Sequence, residues 1–232
     1  MADRAARATR CTSAFERRAR SQGYSLICGV DEAGRGSLFG PVFSAAVILA
    51  EGRPVYGLAD SKVLPPARRE ELAERIRERA AAWAVAVADS FEIDRLNIYH
   101  ASRLAMERAI AQLVPQPDYV LTDAMKLRLP IPHLALIKGD ARCRSIAAAS
   151  ILAKVHRDAC MREWDEVFPQ YGLARNKGYL TPEHADALQL HGPTRLHRFS
   201  FEPVRAVGSL TGVWPAQPAQ LALFGEELCR TR

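Results

Sequence analysis

A chain of 232 residues with a hydrophobic share of 48% has room for one sizeable core, or for one domain with a small addition. A net charge of +6 suggests a polyanionic partner such as nucleic acid, although many basic proteins have none. No apolar run approaches the about 18 residues of a membrane span, the N-terminus lacks the apolar core of a signal peptide, and five widely spaced cysteines without a C-x-x-C pair argue against a zinc site or a disulfide framework and fit a reducing cytoplasm.

Residues 1–24 carry Arg4, Arg7, Arg10, Arg17, Arg18 and Arg20 against Asp3 and Glu16. They read as a basic, flexible leader, either solvated or an arm for a phosphate backbone, in which Ala14 to Arg20 could be helical. Apolar runs at about 25–31 and 42–49 read as buried strands, and the short glycine-rich join between them implies an antiparallel pair. Gly57 to Leu64 is a loop. Pro65 and Pro66 suit a helix start, followed by a charged helix over 67–82 with Leu72 and Ile76 on its apolar side. Trp83 to Ala88 reads as a strand. A helix is expected over 93–114, ended by Pro115-Gln116-Pro117. Short strands follow at 118–123 and 133–137, then a long helix over 145–168 whose small apolar opening suits packing on a sheet. Residues 169–180 form a glycine-containing loop. Thr181-Pro182 is an N-cap followed by proline at the first helical position, and that helix ends near His191-Gly192. From about Gly208 the composition turns to Pro, Ala and Gln, which reads as a flexible tail.

This order means a mixed sheet covered by helices, with a ligand site beyond the carboxyl ends of central strands. Four acids sit at the ends of apolar segments: Asp31, Glu32, Asp123 and Asp140. If the strands ending in Asp31 and Asp123 are parallel neighbours, their carboxylates converge. Converging carboxylates at the rim of a core repel, so either they share a proton or a divalent cation binds. Oxygen-only ligands select Mg²⁺ or Mn²⁺ over Zn²⁺, and two such ions can hydrolyse a phosphodiester. Adjacent strand residues face opposite ways, so Glu32 joins Asp31 only if the strand breaks there. Asp140, close to Arg142 and Arg144, has ion pairing as its other reading.

The segment Gly29-Val30-Asp31-Glu32-Ala33-Gly34-Arg35-Gly36-Ser37-Leu38-Phe39-Gly40-Pro41-Val42 resembles the first signature of ribonuclease HII. The match continues in order through Asp60-Ser61-Lys62, Glu92-Ile93-Asp94, Asp118 to Asp123, Lys138-Gly139-Asp140, Ala148 to Val155, Arg157-Asp158, Phe168 to Gly172, Lys177-Gly178-Tyr179 and His197-Arg198. It covers about 25–205. The resemblance implies a ribonuclease H-like, mixed five-stranded sheet flanked by helices, with a C-terminal helical extension, so that 25–207 form the catalytic domain and 208–232 the tail. It implies a metal-dependent endoribonuclease, with Mn²⁺ or Mg²⁺ in a two-metal mechanism. The enzyme would be monomeric and cytoplasmic, cutting the RNA strand of RNA–DNA hybrids and incising 5′ of single ribonucleotides in duplex DNA. By motif, Asp31, Glu32, Asp123 and Asp140 become the catalytic, metal-binding acids. Gly34, Arg35 and Gly36 sense the ribose 2′-OH and adjacent phosphate, Tyr179 stacks on the following sugar, Lys62 contacts phosphate, and Asp158 acts on the metal site or behind it. For Tyr179 the other reading is a core anchor, and for Asp158 a helix-surface charge paired with Arg157 or Arg162.

The chain departs from the family's usual residues at Ser37 (for Pro), Val63 (for Lys), Ala124 (for Gly), Asn176 (for His) and Phe199 (for a basic residue). None of these removes an acid. Separately, Gln220-Leu221-Ala222-Leu223-Phe224 resembles the bacterial sliding-clamp-binding peptide, Q-L-x-L-F, with a tail folded onto the body as the other reading. The related ribonuclease HIII fits less well, because only about thirty residues precede Asp31 and Arg35 is present. A non-catalytic binding scaffold has no use for four carboxylates beside a polyanion.

Overall fold

A computed structural model describes residues 11–211. In chain order these form α1 (Ala14–Ser21), β1 (Ile27–Ala33), β2 (Val42–Leu49), α2 (Pro66–Arg79), β3 (Ala80–Ala88), α3 (Ser90–Leu96) and α4 (Ile98–Ala111). Then come β4 (Tyr119–Asp123), β5 (His133–Leu136), α5 (Gly139–Arg142), α6 (Arg144–Val167), a 3-10 turn (Pro169–Tyr171), α7 (Leu173–Asn176), α8 (Pro182–His191) and α9 (Glu202–Thr211). The five strands make one mixed sheet in the order β3-β2-β1-β4-β5, with β3 and β5 at its edges. β1 pairs antiparallel with β2 and parallel with β4, and β4 pairs parallel with β5.

The chain divides into two compact units, neither continuous in sequence. The first holds the sheet and comprises residues up to Ala33, Phe43–Val87 and Arg103–Val155. The second comprises Gly34–Val42, Ala88–Ser102 and the chain from His156. The chain passes from the first to the second after Ala33, after Val87 and after Val155.

In the first unit the sheet is buried on both faces, which is why β2 reads as a nearly unbroken apolar run. Cys28, Val30, Ala46 and Ile48 face Met106, Ala109, Ile110 and Leu113. Ala45 and Val47 face Leu72 and Ile76 of α2 and Ala148 to Ala153 of α6. Gly29 sets the approach of α6, since a Cβ there would fall 2.1 Å from the backbone carbon of Ser145. The basic N-terminal stretch is not all leader: in α1, Ala19 packs against Ile27, Leu121 and Ile146. Buried Glu16 accepts the Ser145 N–H at 2.8 Å, capping α6.

The second unit centres on aromatic and imidazole rings. Phe39 lies edge-on to Trp164, Phe168 and His197. Residues 38–40 are held by backbone bonds from Leu38 N to Gly178 O and from Gly40 N to Leu196 O, each 2.8 Å. The Asp94 carboxylate accepts from Phe199 N, Ser200 N and Ser200 Oγ at 2.9, 2.8 and 2.7 Å, which accounts for an acid in that motif.

Several elements differ from the sequence reading. The helix expected over 93–114 is two helices, because Asn97 takes a left-handed φ of 68° that asparagine tolerates; it also ends at Ala111, short of the prolines. β3 starts at Ala80, inside the expected helix, since alanine carries little strand or helix commitment against the pull of a sheet edge. β1 runs on to Ala33. α5 and α7 are single turns that periodicity cannot reveal. α9 crosses Gly208, where the tail was expected to begin, because Val204 and Val207 pack on Leu38, Leu188 and Phe199.

His184 and His197 are both fully buried. His184 Nδ1 lies 3.0 Å from Tyr179 O, and His197 Nδ1 accepts from Thr194 N at 2.9 Å. That pattern leaves His197 Nε2–H to donate to His184 Nε2 at 3.2 Å, so both rings are neutral. Burial, and then the neighbouring ring, push His197 down to about 3, and burial lowers His184. The folded pKa lies below the unfolded value of about 6.5. Stability from this pair is therefore complete above about pH 6.5 and falls as pH drops toward 3, where the unfolded chain binds protons that the fold refuses. Thermal melts from pH 7.5 to 4 should show the loss, and His197→Asn should flatten the slope while lowering the pH 7.5 melting temperature. An unaltered slope would contradict the neutral pair.

Candidate functional site

Asp31 stands near the carboxyl end of β1 and Asp123 at that of the parallel neighbour β4, so the two adjacent strands deliver both acids to one place. Asp140 arrives from α5, just after β5. One carboxylate oxygen from each of Asp31, Asp123 and Asp140 lies within 4.8 Å of the others. Each side chain is braced by a backbone N–H: Asp31 by Glu32 at 2.8 Å, Asp123 by Gly139 at 2.7 Å, and Asp140 by Ala141 at 2.9 Å. The bends that hold the last two use left-handed residues, Ala124 (φ 50°) and Lys138 (φ 55°). The usual glycine at 124 therefore has a physical reason, and the alanine here carries about 1 kcal/mol of strain.

The charges are poorly compensated. Burial raises the Asp31 carboxyl well above the usual carboxylate range, and the charges of Glu32 and Asp123 add to the shift. Asp140 is raised by burial and then by Asp60 and Asp123, with Lys62 opposing. The Lys62 ammonium lies 3.6 Å from Asp140 Oδ2, its side chain largely exposed. Burial alone would lower the Lys62 pKa, but the fields of Asp140, Asp60, Asp31 and Asp123 raise it. Three oxygen donors of one sign in so small a space fit a hard divalent cation.

Glu32 is not in this trio. β1 stays paired through Ala33, where neighbouring residues alternate faces, although the Glu32 charge still acts on Asp31. Two serines belong to the site that were read only as parts of motifs. Ser150 hydrogen-bonds Asp31, and its hydroxyl pairs with that of Ser61 at 2.9 Å, both buried. The signal for Ser150 was a hydroxyl inside an otherwise apolar helix opening.

The second unit assembles the other expected residues. Gly34 has a φ of +95°, and a Cβ there would meet Arg157 Nε at 2.0 Å. Arg35 and Gly36 are exposed. The Cβ position of Gly36 is 3.8 Å from the Tyr179 ring, which is 38% exposed and therefore no core anchor. The Arg157 guanidinium lies 5.3 Å from that ring. Asp158 is buried at 6% exposure rather than solvated on a helix surface. Arg157 and Arg198 are wholly buried, and nothing in their local sequence distinguishes them from surface arginines.

A family model described as Ribonuclease HII matches residues 28–204. The chain belongs to the ribonuclease HII family. It is 61% identical over 197 residues to a Ribonuclease HII of Solibacter usitatus (strain Ellin6076), covering 85% of this chain and 86% of that one. Its fold resembles that of ribonuclease H2 from Pyrococcus horikoshii OT3, with a TM-score of 0.70 at 24% identity, covering 80% of this chain and 98% of that one. It also resembles the RNase HII of a PCNA:RNase HII complex from Archaeoglobus fulgidus, with a TM-score of 0.62 at 24% identity over 89% of this chain and 98% of that chain. As a ribonuclease HII the chain is a metal-dependent endoribonuclease acting on RNA–DNA hybrids, with the mixed sheet and flanking helices expected of it. No helix among the described residues is long and apolar enough to cross a membrane.

Proposed function

We propose that this ribonuclease HII also incises 5′ of single ribonucleotides embedded in duplex DNA, using two divalent cations, Mg²⁺ or Mn²⁺. The observation that carries this reading is the convergence of Asp31, Asp123 and Asp140 within 4.8 Å. These three would hold the ions, with Glu32, whose charge already acts on Asp31, as the fourth acid. When bound, such a pair of ions supplies an activated water and charge stabilisation for the leaving oxygen. The chain's own groups do the rest. The braced carboxylates keep their geometry without reorganising. Lys62, held by Asp140, turns to a substrate phosphate. Backbone at Gly34 and Gly36 comes close to the sugar because no side chain intervenes, and Arg35 takes the neighbouring phosphate. The 2′-OH is the feature that separates a ribonucleotide from DNA there. Tyr179 stacks on the following sugar, and Asp158 acts at one remove from the chemistry, beside Arg157. We place the enzyme in the cytoplasm as a monomer, a setting supported by the free thiols of Cys11, Cys28, Cys143 and Cys160.

The test is a DNA duplex carrying one ribonucleotide, incubated with protein and either ion. A nick 5′ of the ribonucleotide is expected, and Arg35→Ala should cut kcat/KM on it about tenfold, while weakening binding of an all-DNA duplex less. Absence of the nick, or equal losses on both duplexes, rejects the reading.

Gln220, Leu221, Leu223 and Phe224 lie outside the described residues. We infer from their spacing that they dock on a sliding clamp, a reading supported by the PCNA complex of the Archaeoglobus fulgidus protein. Deleting 218–232 should abolish binding to a purified bacterial clamp and leave hybrid cleavage without clamp intact. Undiminished clamp affinity rejects it.

A further inference from the structure

Arg157 and Arg198 have no exposed surface. Even so, Nε and Nη1 of Arg157 and Nη2 of Arg198 find no acceptor among the described residues. Burying a guanidinium with N–H groups unmatched costs several kcal/mol, and Arg198 is pushed down to about 9, by burial and then by the charge of Arg157. The bonds they do make show what this cost supports. Arg157 Nη2 donates to Ser37 Oγ at 2.7 Å and to Lys177 O at 2.8 Å. Arg198 Nε donates to Gly40 O at 2.9 Å and its Nη1 to Arg35 O at 2.8 Å. Three of these four acceptors belong to residues 35–40, and the fourth lies two residues before Tyr179.

Ser37 is the hub. Its side chain is fully buried, accepts from Arg157 and donates onward to Phe39 O at 2.9 Å. The turn has little rigidity of its own: within it, Ser37 N reaches Gly34 O at 3.3 Å. A proline at 37 would fix its own φ covalently; serine has no such ring and gains its order from hydrogen bonds instead.

We propose that Ser37 and Arg157 form a latch, with Arg198 as a second strut, that positions the Gly34–Gly36 turn and thereby sets discrimination for the ribose. The inference rests on the proposed reading of that turn as the sensor of the 2′-OH. Recognition of one hydroxyl by backbone groups requires placement to within about 0.5 Å. Loss of the latch therefore costs ribonucleotide selectivity before it costs general affinity. These are positioning residues, since neither Ser37 nor Arg157 is exposed to touch substrate.

The experiment uses the full chain as Ser37→Ala, Arg157→Lys and the double variant. Fluorescence anisotropy in EDTA gives Kd for a duplex with one ribonucleotide and for the same duplex in all-DNA form. Each single variant should lower the selectivity ratio about three- to tenfold, with the all-DNA Kd within about twofold of wild type. The double variant should be no worse than Arg157→Lys alone, because both break one connection. A lowered melting temperature with an unchanged ratio, equal weakening on both duplexes, or independent losses that multiply would overturn the latch. Hydrogen exchange supplies a readout free of substrate: the amides of Ser37 and Leu38 should exchange about tenfold faster in Ser37→Ala, and unchanged exchange also overturns it. If wild-type protein shows no ribonucleotide preference while these amides do speed up, the latch stands and the reading of the turn as a ribose sensor fails.

Discussion

Asp31→Asn is expected to abolish hydrolysis and, at neutral pH, to raise the melting temperature. The activity loss should exceed about a thousandfold, because one of three converging oxygen donors is lost. The gain in stability has a separate cause. Asparagine keeps an oxygen for the Glu32 N–H and removes a buried negative charge that Glu32 and Asp123 repel. A carboxyl raised above its unfolded value penalises the fold from about pH 4 upward, as the unfolded chain ionises first. The variant should therefore match wild type near pH 4 and exceed it at pH 7.5, with a higher melting temperature there. Melts in EDTA at the two pH values measure this. Millimolar Mg²⁺ or Mn²⁺ should then stabilise wild type and not the variant. A variant less stable than wild type at pH 7.5, or one that still cleaves hybrid at an appreciable rate, would contradict the account of the acidic cluster.

Gly29→Ala should be the most damaging single methyl in the first unit. The new Cβ would sit 2.1 Å from Ser145 C, 2.3 Å from Ile146 N and 2.4 Å from Ser145 O. These are backbone atoms at the start of α6, braced by Glu16, and cannot rotate aside as a side chain would. Either the helix or the central strand β1 must shift by more than an ångström, disturbing Asp31 two residues on. We expect a loss of about 3 kcal/mol or more, a large share of the about 5–15 kcal/mol that holds a domain. The same change at Gly36, whose nearest neighbour is 3.8 Å away, should leave stability within about 0.5 kcal/mol of wild type. Urea unfolding of both variants gives the comparison; comparable midpoints would refute it.

Much of the site was legible because strand physics brings distant residues together by rule. Reading residues 118–123 as a buried strand, and assuming it a parallel neighbour of the first, was enough to bring Asp31 and Asp123 together. The N-cap at Thr181 was legible because hydroxyl capping is local, and its side chain indeed accepts from His184 N. What stayed hidden depends on tertiary surroundings. Asn97 keeps the apolar spacing of a helix while breaking it, and only the backbone dihedral reveals the break. Glu32 stands beside Asp31 in sequence, yet the three carboxylates that converge are those of Asp31, Asp123 and Asp140. Arg157 and Asp158 look like a surface ion pair, yet both are buried, Arg157 against the glycine turn and the 177–179 segment from far away in sequence.

The edge strand β3 has a different consequence. Residues 80–88, AAAWAVAVA, contain no charge, proline or glycine across nine positions at the border of the sheet. Arg108 donates to the carbonyl of Val87 at 3.0 Å and Arg77 lies over the Trp83 ring, two charges from helices at a strand that carries none. A border of this composition offers its backbone to another copy of the chain. Losses during concentration, heating or refolding are therefore expected to begin at this border, far in sequence from the converging acids.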